Sequence, residues 1–276
     1  MFELPEYVNL AKQLEQTVTG KSILKGQLGN SPHKFVWYNR TPEEFEALTA
    51  GKVVGKAYCK GRWLFIPLQP GYVFVFGECG GKILYHRSRS EMPKKYHLAI
   101  TFRDGSGLSA MTQMWGAMEL YEEGLELKRK YIVDMRPTPI DDQFSFDYFS
   151  NLIDVCIRSE KRSVKGLLTQ DQLIPGLGNS IAQDIMFKAK LHPRHSIEEL
   201  DQPGRKYLYE AIQHIVFEAI ALGGRNDETN LFGEPGGYVR IMDKNAAGKP
   251  CPECKTRIEK MQYLGGACYY CSQCQT

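Results

Sequence analysis

Cys251-Pro252-Glu253-Cys254, then sixteen residues, then Cys271-Ser272-Gln273-Cys274: this C-x2-C-x16-C-x2-C pattern decides how the end of the chain must fold. Two residues between paired cysteines let a tight knuckle aim both sulfurs at one metal ion. Two knuckles joined by a hairpin complete a tetrahedral site. The residues between the pairs, through Gly265-Gly266, suit a β-hairpin. With Cys251, Cys254, Cys271 and Cys274 filling every position, the expected cofactor is one structural Zn2+, because no open coordination position is left for catalysis. Cys268 falls outside the spacing and is expected to be a small buried residue. The finger alone does not identify a partner, since such ribbons also stabilise protein–protein modules.

Working back from the finger, residues 226–237 are polar and glycine-rich and read as a loop. Before them the apolar period is helical from Phe144 to Gly223. The expected helices are Phe146–Ser159, 167–173 ending at Pro175-Gly176, 179–190 ending at His192-Pro193, and 197–222 with an interruption near Pro203-Gly204. The stretch Leu173-Ile174-Pro175-Gly176-Leu177-Gly178-Asn179 stands out. Gly176 and Gly178 bracket a tight turn, and Asn179 is expected to cap the next helix. Outward-pointing amides at such a turn can grip a phosphate, and Lys165 can add a charge-assisted contact. An ordinary core helix–turn–helix fits the same residues.

Nearer the N-terminus, Met135-Arg136-Pro137-Thr138-Pro139 reads as a linker, and from about Ser22 to Tyr121 the pattern is one of strands. Residues 34–38, 63–66, 72–76 and Leu98–Phe102 are short and rich in aromatic and β-branched side chains, with turns such as Pro70-Gly71 and Asp104-Gly105 between them. That spacing predicts a β-sandwich or barrel. Residues 5–17 read as a helix with Pro5 in its first turn.

The chain has 276 residues, 42% hydrophobic, which is enough to bury a sizeable core. A net charge of +3 permits nucleic-acid binding without arguing for it. There is no continuous apolar segment near Met1 and no run long enough to span a bilayer, so a soluble cytosolic protein without membrane contact is expected. Five of the eight cysteines lie in the last 26 residues, which favours metal binding over a disulfide scaffold.

Three separated features together resemble the formamidopyrimidine-DNA glycosylase / endonuclease VIII family. They are the start Met1-Phe2-Glu3-Leu4-Pro5-Glu6, the Leu173–Asn179 turn, and the finger closing on Tyr270-Cys271-Ser272-Gln273-Cys274. The resemblance covers essentially the whole chain. It implies an α+β architecture: an N-terminal β-sandwich with an N-terminal helix (1–134), a linker (135–144), a helix–two-turn–helix DNA-binding domain (145–225), and a loop with a C-terminal β-hairpin zinc finger (226–276). It also implies a monomer that bends duplex DNA in the cleft between its domains, flips out a damaged base and excises it through a Schiff base, with strand cleavage by elimination. Such a protein would associate with the nucleoid when bound to DNA.

In that family the nucleophile is the α-amine of a proline exposed by removal of the initiator methionine. An α-amine titrates near 8, about two units below lysine, so it is partly unprotonated at neutral pH. Here the position is Phe2. Methionine is usually trimmed only before small residues, so Met1 is expected to stay and to place its amine one residue out of register. Glu3 matches the family's carboxylate that assists proton transfer, and Glu6 matches a second acidic residue. Both also suit a helix N-terminus. The family's lysine aligns with Arg62, near Lys60 and Lys56. Arginine can bind phosphate but shuttles protons poorly. The methionine that fills the vacated base position aligns with Glu78. The arginine-arginine-phenylalanine loop aligns with Gln113-Met114-Trp115, leaving Trp115 as an aromatic wedge or a core residue. The finger's phosphate-clamping arginine aligns with Gly266, while Lys165 and Asn179 match phosphate contacts. Three readings stay open: an active glycosylase and lyase using Met1's amine or a nearby lysine, a catalytically silent binder of damaged or distorted DNA, and a binder of structured RNA or the ribosome.

Overall fold

Pro5 sits in the first turn of helix α1 (Leu4–Val18), where its missing N–H costs nothing, and Tyr7, Leu10, Leu14 and Val18 bury one side of it. The computed structural model describes residues 1–31 and 34–276. After α1 come β1 (Ile23–Leu28), β2 (Val36–Trp37), helix α2 (Pro42–Thr49), β3 (Val53–Val54), β4 (Tyr58–Lys60), β5 (Trp63–Gln69), β6 (Tyr72–Gly77), β7 (Gly81–His86), β8 (Leu98–Phe102), β9 (Gly107–Thr112) and β10 (Gly116–Glu122). One antiparallel sheet runs β1-β8-β9-β7. The other runs β2-β10-β6-β5-β3 with β4 on β5, and only its β2–β10 pairing is parallel.

Both sheets contribute to one core, for example Ile23, Leu98 and Leu108 from the first and Leu64, Ile66, Phe74 and Phe76 from the second, joined by Phe2, Leu10 and Leu14. This is the expected sandwich with its N-terminal helix. Side chains alternate along a strand. Trp63 and Phe65 of β5 therefore face a second cluster with Val73, Val75 and Ile132. Burial on both faces explains why 63–68 is an unbroken apolar run.

The all-strand expectation for 22–121 misses α2. Thr41 accepts from the Glu44 amide at 3.2 Å and the Glu44 carboxylate accepts from the Thr41 amide at 2.9 Å, a reciprocal cap that starts a helix. Phe45 and Thr49 then pack on Gly26 of β1, where a Cβ would lie 2.3 Å from the Thr49 hydroxyl. The expected strand over 34–38 shrinks to β2.

By its contacts the chain divides into Met1–Met135 with Leu222–Gly237, and Arg136–Ala221 with Tyr238–Thr276. Residues 226–237, grouped with the finger by composition, thus lie in the first unit. Leu231 is in its core, and its amide is held by the Gln13 side chain.

The second unit contains α3 (Phe146–Ser159), α4 (Val164–Thr169), α5 (Asn179–Lys188), α6 (Gln202–Ala221) and the hairpin β11 (Glu259–Tyr263) and β12 (Gly266–Tyr270). Three expectations are corrected. The helix expected at 167–173 is α4, which begins at Val164 and ends at Thr169, where Gln170 turns to extended backbone before Asp171 and Gln172 take positive φ. Pro203-Gly204 open α6 rather than interrupt it, with the Asp201 carboxylate accepting from the Gly204 amide at 2.8 Å. The residue capping α5 is Gly178, and Asn179 is the first helical residue.

Candidate functional site

The first unit gathers residues from the two ends of its sequence. Phe2 is fully buried, its amide donates to the Cys79 carbonyl at 3.0 Å, and its ring meets Tyr7 edge-on. Phe2 is therefore a core anchor, and its nitrogen is not available as a nucleophile. That anchor presents the α-amine of Met1, which lies 2.8 Å from a Glu228 carboxylate oxygen. The two line a cavity of about 150 Å3 together with Gly80, Gly81, Lys82 and Asp227 among others. A Cβ on Gly80 would lie 3.1 Å from the Met1 Cα, so glycine there lets the terminal residue approach the wall. Cys79 offers no rival nucleophile, since burial pushes its thiol up to about 12.

Beneath the amine lies a buried ion cluster centred on Arg225, which is 2% exposed. Its guanidinium donates to Glu6 at 2.8 and 3.1 Å and to the Met1 carbonyl at 2.7 Å, and its backbone amide donates to Glu6 at 2.9 Å. Glu3 is 3.7 Å from it and Glu228 is 3.6 Å away. Burial works against the charge, but the carboxylates of Glu6, Glu3 and Glu228 hold the guanidinium protonated well above the ordinary arginine range. Glu6 is thus a structural ion-pair partner that also accepts from the Glu3 amide at 2.8 Å. Arg225 and Glu228 carry no sequence signal, because Met1 and Glu6, which they meet, lie more than 200 positions away.

Arg62 pairs with Glu78 at 3.3 Å and reaches the Met1 sulfur at 3.4 Å, so its charge is neutralised beside the terminal residue. Lys60 is exposed on β4. Trp115 is exposed rather than a core residue, and it stacks on the exposed Trp37 with centroids 5.3 Å apart and planes 10° apart. In the second unit Lys165 and Asn179 come together on the hairpin. The Lys165 ammonium donates to the Tyr263 carbonyl at 2.5 Å and the Asn179 amide to the Ala267 carbonyl at 3.1 Å. A Cβ on Gly266 would lie 3.2 Å from Asn179 Oδ1, so glycine there permits a close approach of hairpin and helix.

The four cysteine sulfurs at 251, 254, 271 and 274 lie within 4.8 Å of one another, with Cys251–Cys274 at 3.9 Å and Cys254–Cys271 at 3.4 Å. Tetrahedral zinc with Zn–S of about 2.3 Å sets its sulfurs roughly 3.8 Å apart, so the set fits one zinc ion. Hydrogen bonds from the Thr256 hydroxyl and amide lower the Cys254 thiol to about 6, making it a ready thiolate. The Cys254 sulfur in turn pushes Cys274 up to about 12, a conflict that a shared cation removes. Cys268 is buried and outside the set, as expected.

Two family descriptions match the chain: the formamidopyrimidine-DNA glycosylase N-terminal domain over residues 1–113 and the formamidopyrimidine-DNA glycosylase H2TH domain over 135–230. The chain is 27% identical to the formamidopyrimidine-DNA glycosylase of Bacillus cereus over 279 aligned positions, covering 100% of this chain and 99% of the other. It is 28% identical to that of Listeria innocua, covering 100% of each. Its fold matches that of Lactococcus lactis Fpg in complex with DNA containing an abasic site, with a TM-score of 0.85, 23% identity and 99% coverage of both chains. No helix among the described residues is long and apolar enough to cross a membrane.

Proposed function

The chain belongs to the formamidopyrimidine-DNA glycosylase / endonuclease VIII family, and from that premise we propose that it binds damaged duplex DNA, excises the altered base and cuts the strand, with the α-amine of Met1 as nucleophile. The observation that carries this reading is the placement of that amine, presented by buried Phe2 into a cavity it shares with Gly80 and Lys82. The amine attacks C1′ of the sugar as the base leaves, and the ring opens to an iminium. Loss of a proton at C2′ then expels the 3′-phosphate. The register shift caused by Phe2 is thereby absorbed: residue 2 fills the core and residue 1 reaches the cavity.

Lys60, Arg62 and Trp115 of the first unit, and Lys165 and Asn179 of the second, are the proposed DNA contacts. Asn179 spends one amide hydrogen on a hairpin carbonyl, which leaves another for a phosphate oxygen; Lys165 is 1% exposed and gives one hydrogen to the Tyr263 carbonyl. The four cysteines hold one structural Zn2+. It supplies no chemistry at the sugar, and it pins the hairpin against which these two side chains rest. The protein acts as a monomer in the cytoplasm, on the nucleoid when DNA-bound.

A silent DNA-damage binder is the second reading, favoured by the engagement of Glu3 with Arg225. Borohydride trapping on duplex DNA with one abasic site separates the two. Excision chemistry yields a covalent adduct that maps to the peptide bearing Met1, in protein whose intact mass shows Met1 as the first residue. An adduct on Lys82 moves the nucleophile to that side chain. Tight lesion binding with neither adduct nor strand cut gives the silent binder, and preference for structured RNA gives neither.

A further inference from the structure

We infer that Glu228, and not Glu3, is the carboxylate that takes and returns the proton at the attacking nitrogen. The assignment rests on the reading of Met1's amine as the nucleophile. It is carried by three independent placements. Glu228 is the carboxylate in direct contact with the amine, at 2.8 Å. It lines the cavity with Met1, whereas Glu3 does not. Glu3 is 5% exposed, turned to the Arg225 guanidinium at 3.7 Å, with its amide given to Glu6. The carboxylate two positions from the nucleophile in sequence is thus committed to the ion cluster beneath it. The residue 227 positions away occupies the working position.

Glu228 is held there by its own segment. Its amide donates to the Arg225 carbonyl at 3.2 Å, its carbonyl accepts from Gly236 at 3.3 Å, and the adjacent Thr229 bridges Pro235. Arg225 therefore acts as a positioning residue: it withdraws Glu3 and Glu6, holds the Met1 carbonyl at 2.7 Å and supports the loop that delivers Glu228.

The proton bookkeeping closes. The Met1 ammonium gives one proton to the Glu228 carboxylate, leaving a neutral amine and a carboxylic acid. A sugar that fills the cavity expels water, and in the drier site the neutral pair replaces the ion pair. The nitrogen lone pair forms the bond to C1′ of the ring-opened abasic aldehyde, and the C=O π pair moves to oxygen. That oxygen takes a proton from the nitrogen, giving a carbinolamine. Glu228 then returns its proton to the hydroxyl, which departs as water while the nitrogen lone pair forms the C=N+ bond. The carboxylate is regenerated, and the net change is an ammonium plus an aldehyde becoming an iminium plus water.

The test is the rate of borohydride trapping on abasic-site duplex from pH 5.5 to 9, for the parent and for Glu228→Gln, Glu228→Asp, Glu3→Gln and Asp227→Asn. Other charged groups near the amine are Lys82 and Asp227 on the cavity wall, Arg225 below, and Arg62 with Glu78 beside the Met1 sulfur. Glu228→Gln is isosteric and keeps an acceptor for the amine. It is expected to trap about a hundredfold more slowly at pH 7, in the range of general acid–base effects. Its rate should keep rising with pH where the parent's has levelled, because solvent must then take the proton. Its abasic-DNA affinity and melting temperature should stay near the parent's, and Glu228→Asp should recover part of the rate. A Glu228→Gln protein that traps at the parent's rate and pH profile overturns the assignment. So does a loss seen instead in Glu3→Gln or Asp227→Asn while Glu228→Gln behaves as the parent. A parent that binds abasic DNA without forming any adduct overturns the nucleophile itself, and that failure is seen before any variant is compared.

Discussion

The cysteine cluster of the second unit and the ion cluster of the first are built by opposite routes. Cys251, Cys254, Cys271 and Cys274 meet within one short segment, and their spacing alone aims the sulfurs at a common point. Met1, Glu3 and Glu6 meet Arg225 and Glu228 through contacts that span more than 200 positions of the chain, made by the segment from Leu222 to Gly237. The first kind of site is suited to stabilisation by a shared cation. The second must be stabilised by the fold, because a buried guanidinium and the buried carboxylates of Glu3 and Glu6 survive only when each charge finds its partner.

The largest expected effect separates these routes. Cys254→Ser should abolish zinc retention, and since apparent zinc affinities in finger peptides are about 10–16 kcal/mol, the hairpin from Glu259 to Tyr270 should become susceptible to proteolysis. Metal content and limited digestion measure this. Melting of the first unit should be unaffected, and a matching loss there would break the comparison. Next in size is Arg225→Met. It strands Glu3 and Glu6 in the core and should cost about 3–5 kcal/mol in urea unfolding, with zinc content unchanged. Adding Glu6→Gln should recover part of that loss, because one bare carboxylate is removed. If the double variant is no more stable than Arg225→Met, the cluster is not held by this pairing.

The smallest effect sets a floor for what an ion pair is worth when water reaches it. Lys21 and Ser106 hold Asp104 down to about 2, and half of its side chain is exposed. Its folded value lies below the ordinary carboxylate value near 4. The stabilisation is therefore present above that value and is lost as pH falls toward 2. Asp104→Asn should lower stability at neutral pH by under ~1 kcal/mol and flatten the acid limb of melting temperature against pH. A cost as large as that of Arg225→Met would remove the distinction between exposed and buried pairs.

Much of the scaffold was legible from residue patterns. The run over 63–68 and the stripe of α1 carry periods that burial enforces, and the finger is written in its spacing. Helix α2 was also legible, through the Thr41–Glu44 cap, but the surrounding strand-rich sequence masks it. Asn179 and Lys165 stand out as polar residues at a helical turn, yet nothing local indicates that both lean on the carbonyls of the hairpin. Phe2 reads as a departure from a catalytic pattern. Its burial, and the consequent display of Met1, depend on Cys79 arriving from beyond β6 to meet Phe2 and the neighbouring Tyr7.

Local spacing determined which four cysteines converge, the family and the sandwich-plus-helices architecture, because knuckle geometry and strand or helix periodicity act over a few residues. Long-range packing settled which carboxylate meets the amine, which arginine neutralises Glu6 and which residue fills the core at position 2. Charges buried in a low-dielectric interior choose partners by distance in space, and that distance exists only once the chain has folded.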